Sequence, residues 1–294
     1  MHFPFELDLI LRLQSLSNGL FDFFFNAVSF FGEETFIIAL IGFTYWCYNK
    51  KMGEYIGFAL TVSYPFNNFL KDLFVAPRPF EVSTDVVNMR PDTATGHAFP
   101  SGHVQGTASA FTALACWIKR RWMTILASIM IFLMMMSRMY LGVHFLSDVV
   151  AGALIGVIVS IVTFFVFKKY SSTNEKKLHT IYLATSTIFL VIALFMKSED
   201  FFKGYGILIG FVAAVLFEKR YVKFSTNVSS IKKVLRFAIG LVLALVIQQG
   251  LKLIFSPIIG VVPTIANILH LIRYAAIAFA GFGLYPHFFK KFNF

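Results

Sequence analysis

Apolar runs of roughly 15 to 22 residues recur along this sequence, each about as long as a helix must be to cross the hydrocarbon core of a bilayer. They lie near 18–31, 35–49, 53–71, 103–118, 122–140, 146–167, 179–196, 204–217, 234–255 and 266–287. Few folds are open to such a chain, and the pattern predicts an all-α protein, a polytopic membrane helical bundle of about ten spans. Composition agrees: 57% of residues are hydrophobic and 14% charged, where soluble domains carry roughly 25% charged.

The formal net charge of +11 does not mark a nucleic-acid binder, because the basic residues sit in short clusters between the apolar runs. "NKK" at 49, "KRR" at 119, "KKYSSTNEKK" at 168, "EKRYVK" at 218, "IKK" at 231 and "KK" at 290 follow alternate spans, the pattern of cytoplasmic loops. This predicts both termini in the cytoplasm. Before the first run, Phe5, Leu9, Leu13 and Leu16 recur at near-helical spacing against Glu6, Asp8, Arg12 and Gln14. Residues 1–17 therefore read as an interfacial amphipathic helix, and they lack the uninterrupted apolar core of a cleavable signal peptide. Cys47 and Cys116 lie in or at the ends of apolar runs and read as buried thiols.

Three polar segments fall on the opposite, non-cytoplasmic side: "KDLFVAPRPF" from Lys71, "ATGHAFPSGH" ending at His103, and "SRMYLGVHFLSDVV" from Ser137. Lys71, Arg78, Arg90 and Arg138 place positive charge there against the topological bias, which points to a bound anion. Guanidinium forks and an ammonium suit a tetrahedral oxyanion such as phosphate. Ser101 adds a hydroxyl, Gly102 a close backbone approach, and the helix they open a positive dipole end. His144 and Asp148 are four apart, on one helical face, so the carboxylate can fix the imidazole tautomer. With His103 on a second segment, one histidine can attack and the other can protonate the leaving oxygen, which describes phosphoryl transfer through a phosphohistidine. The carboxylates on this side, Asp72, Glu81, Asp85, Asp92 and Asp148, show no ligand-like spacing, so neither a metal nor another cofactor is expected.

These residues also resemble a known family. Lys71 to Pro79 read K-x6-R-P, Pro100 to His103 read P-S-G-H, and Ser137 to Asp148 read S-R-x5-H-x3-D. Together they are similar to the three-part signature of the type 2 phosphatidic acid phosphatase superfamily, which includes undecaprenyl-pyrophosphate phosphatases, sphingosine-phosphate phosphatases, glucose-6-phosphatase and vanadium haloperoxidases. The resemblance covers a six-span phosphatase core, residues 18–169. It implies His144 as nucleophile, Asp148 as its orienting partner and His103 as general acid, with Lys71, Arg78, Ser101, Gly102 and Arg138 binding phosphate. Residues 170–294, about four further transmembrane helices, lie outside that core and are reminiscent in architecture of the sphingosine-phosphate and glucose-6-phosphatase branches.

The long polar stretch 80–99 reads as a lid, in which Arg90 and His97 are candidate substrate contacts. Glu33 and Glu34 read as a polar turn. The expected substrate is a membrane lipid in the bilayer: a polyprenyl pyrophosphate or phospholipid phosphate first, a sphingoid phosphate or a soluble sugar phosphate as alternatives. A transporter or flippase using the core to bind a headgroup is the alternative outside enzymes. Compact loops without evident sorting signals favour a bacterial plasma membrane.

Overall fold

The computed structural model describes residues 4–261 and 265–291, and every regular element among them is a helix. They are α1 (Pro4–Gln14), α2 (Gly19–Phe30), α3 (Glu34–Phe43), α4 (Lys50–Phe74), the short α5 (Pro79–Val82), α6 (Gly102–Ile118), α7 (Arg121–Tyr140), α8 (Leu146–Tyr170), α9 (Glu175–Ala193), α10 (Glu199–Phe217), α11 (Ser230–Val261), α12 (Ala266–Phe279) and α13 (Tyr285–Lys291). Asn18, Asn174 and Ser198 begin α2, α9 and α10 by accepting backbone N–H groups of the first turn.

All ten apolar runs are helical, but fewer than ten have the length and apolarity of an independent span. Among the described residues five do: α7, α8, α10 continued to Val222, α11 to Ile258, and α12 continued to Phe289. α2 and α3, the latter continued to Tyr48, add at most one more as a pair bent by 48°. α4 carries Lys50, Lys51, Glu54, Lys71 and Asp72 near its ends, and α6 is 17 residues long. The chain is an integral membrane protein.

By packing it divides into two compact units, Met1–Ile37 with Phe66–Val162 and Ile38–Pro65 with Thr163–Phe294. In the second, carboxylates that would be costly to bury alone are paired. Glu54 takes an ion pair from Lys219 at 2.7 Å and a hydrogen bond from the Tyr182 hydroxyl at 3.1 Å, and Glu218 pairs with Lys50 at 3.0 Å.

The first unit holds all three sequence motifs. Within it α8 meets α6 backbone to backbone: a Cβ on Gly152 would stand 2.7 Å from the Ser101 carbonyl oxygen, and one on Gly156 2.5 Å from that of Gln105. Around this seam Ile10, Val28, Val86, Val104, Met134, Met139, Phe145 and Val149 form a core.

Two sequence expectations change here. In α1, Leu9 and Leu13 pack against the core as their spacing suggests, but Phe5 is more than half exposed while Glu6 is buried with Ile10, so the inward side of this helix includes a charged residue that the apolar spacing leaves out. The reason is polar: Glu6 accepts from the Ser147 N–H, and Gln14 bonds the backbone of Val87 and Tyr140. The 18–31 run, read as the first span, lies across one end of α7. Asp22, Phe25 and Ser29, spread along α2, accept hydrogen bonds from Tyr140, Ser137 and Arg138, all in the last turn of α7.

Because the α6–α8 seam has no room for side chains, Gly156→Leu is expected to lower stability by about 1–3 kcal/mol, in the range of overpacked cores. Thermal unfolding in detergent, with Val157→Leu on the same helix as the near-neutral comparison, checks this.

Candidate active site

The segment from Lys71 to Pro79 begins in the last turn of α4, where the helix dipole favours a cation such as Lys71. The helix stops at Val75, whose φ of +48° is a left-handed conformation that β-branched residues rarely adopt. Arg78 then starts α5, its own N–H donating to Glu81 at 2.7 Å. Its guanidinium is 2% exposed and donates to three carbonyls, from Nε to Gly96 at 3.0 Å, from Nη2 to Thr95 at 2.6 Å and from Nη1 to Val143 at 2.9 Å. One N–H remains on each terminal nitrogen. Burial pushes this guanidinium down from its ordinary value, opposed by the carboxylates of Glu81 and Asp148.

Ser101 occupies the N-cap of α6, yet its hydroxyl does not cap the helix and has no hydrogen-bond partner. The backbone of this segment is held instead by its neighbours. The Ser101 N–H donates to the Asp148 carbonyl at 3.0 Å, and Asn67 Nδ2 donates to the Pro100 carbonyl at 3.3 Å and to Gln105 Oε1 at 2.8 Å. The first turn of α6, carrying Gly102 and His103, is thus fixed against the segment that carries Asp148.

In that segment α7 ends at Tyr140, and the chain turns through Gly142 at φ +73°, where a Cβ would stand 2.3 Å from the Val87 carbonyl oxygen. The turn delivers His144 just before α8. His144 Nδ1 faces Asp148 Oδ2 at 3.4 Å, beyond a closed hydrogen bond, while the same Oδ2 accepts the Phe145 N–H at 2.8 Å. Arg138 is wholly buried. Its Nη1 donates to the Ser29 hydroxyl at 2.6 Å, whereas Nε and Nη2 have no partner, and neither does His103 Nε2. Nε and Nη2 are one edge of the guanidinium fork, the edge that grips two oxygens of an oxyanion side by side.

Burial, then the charges of Arg78, Arg138 and Lys71 and the nearby His103, hold the His144 imidazole well below its ordinary value. It is therefore neutral at neutral pH, with Nδ1 toward Asp148 and Nε2 left for chemistry. The structure thus brings Lys71, Arg78, Ser101, Gly102, His103, Arg138, His144 and Asp148 into one unit.

The lid residues fare differently. Arg90 uses both terminal nitrogens on α2 and the turn after it, Nη1 to Asn26 Oδ1 at 2.9 Å and Nη2 to Glu33 Oε1 at 2.5 Å. His97 is half-buried. Sequence reasoning missed Ser29, Asn26 and Glu33 as partners of these arginines. The signal was present: Asp22, Asn26, Ser29 and Glu33 recur at 4, 3 and 4 residues, a polar stripe on an apolar helix. Among the described residues no three of His, Cys, Asp or Glu converge as a metal-binding group.

Residues 54–172 match the model of the PAP2 superfamily, and residues 202–294 match that of the PAP2 superfamily phosphatase transmembrane extension. The chain belongs to the PAP2 superfamily. A probable sphingosine-1-phosphate phosphatase of Dictyostelium discoideum is 29% identical over 168 residues, 52% of this chain and 40% of that protein. A lipid A 4'-phosphatase of Bacteroides thetaiotaomicron is 30% identical over 108 residues, 34% of this chain and 48% of that one. The chain therefore spans less than half the length of either relative. Among solved structures, LpxE of Aquifex aeolicus superposes with a TM-score of 0.51 at 27% identity, over 57% of this chain and 97% of its own. The PAP2 type phosphatidylglycerolphosphate phosphatase of Bacillus subtilis, at 19% identity, TM-score 0.50 and coverage of 57% and 87%, shares the fold.

Arg78 ties two carbonyls of the 80–99 stretch, Thr95 and Gly96, to that of Val143, so Arg78→Ala should leave all three without this donor, at about 1–3 kcal/mol for each that stays buried. Amide hydrogen exchange in the 92–98 peptide should rise, with α10 unaffected. Unchanged exchange there would show that the lid does not depend on these bonds.

Proposed function

We propose that this protein is a metal-independent phosphatase that hydrolyses a lipid phosphate or pyrophosphate through a phosphohistidine. One observation carries the reading: the buried Nε and Nη2 of Arg138, the Ser101 hydroxyl and His103 Nε2 are all without partners, in the unit where His144 faces Asp148. A buried guanidinium edge is expensive to leave bare, and a phosphate oxyanion satisfies such a set of donors.

The proposed steps use the groups this unit brings together. His144 Nε2 attacks phosphorus while Asp148 steadies the ring through Nδ1, and His103, carrying its proton as the imidazolium beside the bound phosphate anion, gives that proton to the leaving lipid oxygen. Water, deprotonated by His103, then attacks the phosphohistidine and frees inorganic phosphate and His144. Arg138, Lys71 and the remaining N–H groups of Arg78 stabilise charge on the phosphoryl oxygens, the larger part of catalysis in such transfers.

The substrate is assigned to lipids because the protein is membrane-integral and its named relatives are a sphingosine-phosphate phosphatase and a lipid A phosphatase. Those names bring sphingoid and lipid A phosphomonoesters level with the polyprenyl pyrophosphates and phospholipid phosphates. The basic clusters at 119 and 168 follow α6 and end α8, away from the motifs, which supports a non-cytoplasmic site in a bacterial plasma membrane. Since α1 bonds the motif end of its unit, we also assign α1 to the side of the site, where the expectation from ten alternating spans has the cytoplasm.

The test is phosphate release with EDTA present, across undecaprenyl pyrophosphate, phosphatidylglycerophosphate, phosphatidate, sphingosine phosphate, lipid A and glucose 6-phosphate. His144→Ala and His103→Ala should abolish release while folding normally in detergent, and His179→Ala should not. Turnover retained by His144→Ala would sink the mechanism, and headgroup binding without turnover by the wild type would favour transport.

The pH profile follows from the charges. Turnover falls as His144 takes up a proton, and its neighbours resist that, so the acid limb should lie below the ordinary imidazole value of about 6.5. Lys71→Met removes one of those charges and should move the limb upward, besides weakening phosphate binding. A limb that stays in place in this variant contradicts the assignment of that limb to His144.

A further inference from the structure

The start of α8 has a deficit that its own sequence cannot fill. Helix N-termini leave backbone N–H groups unsatisfied, and the residue in the N-cap position commonly supplies a side-chain oxygen. Here that position is Phe145, which has none. Two carboxylates do the work. Asp148 Oδ2 accepts the Phe145 N–H at 2.8 Å, and Glu6 Oε1, from α1, accepts the Ser147 N–H at 2.6 Å. The opposite side of the turn is fixed by the Ser101 N–H on the Asp148 carbonyl at 3.0 Å.

Glu6 is 1% exposed. A carboxylate is costly at such a place unless its bonds require it, and an apolar residue would fill the space at less cost. Its charge is also felt at Asp148, together with those of Arg78 and Lys71. The bond it makes is to the residue immediately before Asp148, in the one turn that sets the angle between the Asp148 carboxylate and His144 Nδ1, now 3.4 Å apart.

We propose that Glu6 is a positioning residue of the active centre: a cap supplied from another helix of the chain that holds the first turn of α8 so that Asp148 keeps the His144 imidazole aimed. The inference rests on the phosphatase reading for its kinetic consequence, while its structural consequence can be read without substrate. Small misplacements of a reacting group cost rate far more than binding. Loss of the acceptor should therefore lower kcat by about 10- to 100-fold and leave KM within about threefold.

Three variants separate the roles. Glu6→Gln keeps an oxygen acceptor and should retain kcat within about threefold of the wild type. Glu6→Met fills the same volume without an acceptor, and Glu6→Ala removes both; these two should lose kcat. Amide hydrogen exchange in the 141–150 peptide, measured on the full chain in detergent without substrate, should accelerate in Glu6→Met and Glu6→Ala and stay slow in Glu6→Gln. Should Glu6→Ala fail to fold, Glu6→Met carries the comparison. Wild-type exchange in Glu6→Met overturns the proposal whether or not any lipid phosphate is turned over. Wild-type kcat in Glu6→Met overturns it too, as does a rise in KM alone. If the wild type releases no phosphate from any lipid but Glu6→Met still loosens the turn, the cap stands and the phosphatase reading falls.

Discussion

A guanidinium with no access to water, at the end of an apolar helix, is the constraint around which the first unit is organised. Burying Arg138 is tolerable only if its donors are met. The protein meets one of them, through Ser29, and leaves the Nε and Nη2 edge bare. Laying α2 across the end of α7 is what brings Ser29 there, and the same placement sets Asn26 beside Arg90. Stability is thereby withheld at the spot where an oxyanion would restore it, a trade common at sites selected for function over folding.

The three arginines of this end divide their work by what they touch. Arg78 is committed to the backbone, tying Thr95 and Gly96 of the lid to Val143 beside His144, and keeps only two N–H groups in reserve. Arg90 is committed to side chains, Asn26 and Glu33, so the substrate contact expected of it would require those bonds to open. Only Arg138 presents a complete fork edge with nothing bonded to it. In the proposed reaction the sequence motif thus covers two different jobs: Arg78 builds the enclosure and Arg138 grips the phosphate.

The gathering of the three motifs in one unit was legible in the sequence because membrane segments are otherwise so apolar that every retained charge stands out, and the spacing of His144 and Asp148 needs only helix geometry to interpret. What was not legible depended on partners that carry no sequence signature. Glu6 and Gln14 turn inward to bond backbone groups of Ser147, Val87 and Tyr140, more than seventy residues away, and no periodicity within α1 can report a backbone N–H elsewhere. The path of α2 failed for another reason. Apolarity states that a helix can enter lipid; whether it crosses is decided by the polar stripe from Asp22 to Glu33, whose partners all lie at one end of the unit.

His103 sits in the first turn of α6 and His144 in the turn just before α8, and something must fix the distance between them. In lipid the hydrophobic effect gives helices no reason to approach one another closely, so contact has to come from packing and polar bonds. Gly152 and Gly156 let α8 rest directly on the carbonyls of Ser101 and Gln105, with no side chain between to change rotamer. His103 lies between those two contacts on α6, and four residues before Gly152 on α8 is Asp148, whose carbonyl takes the Ser101 N–H. The spacing of His144 and His103 is therefore set by backbone against backbone. A side chain in the seam would move one histidine relative to the other even where the fold survived.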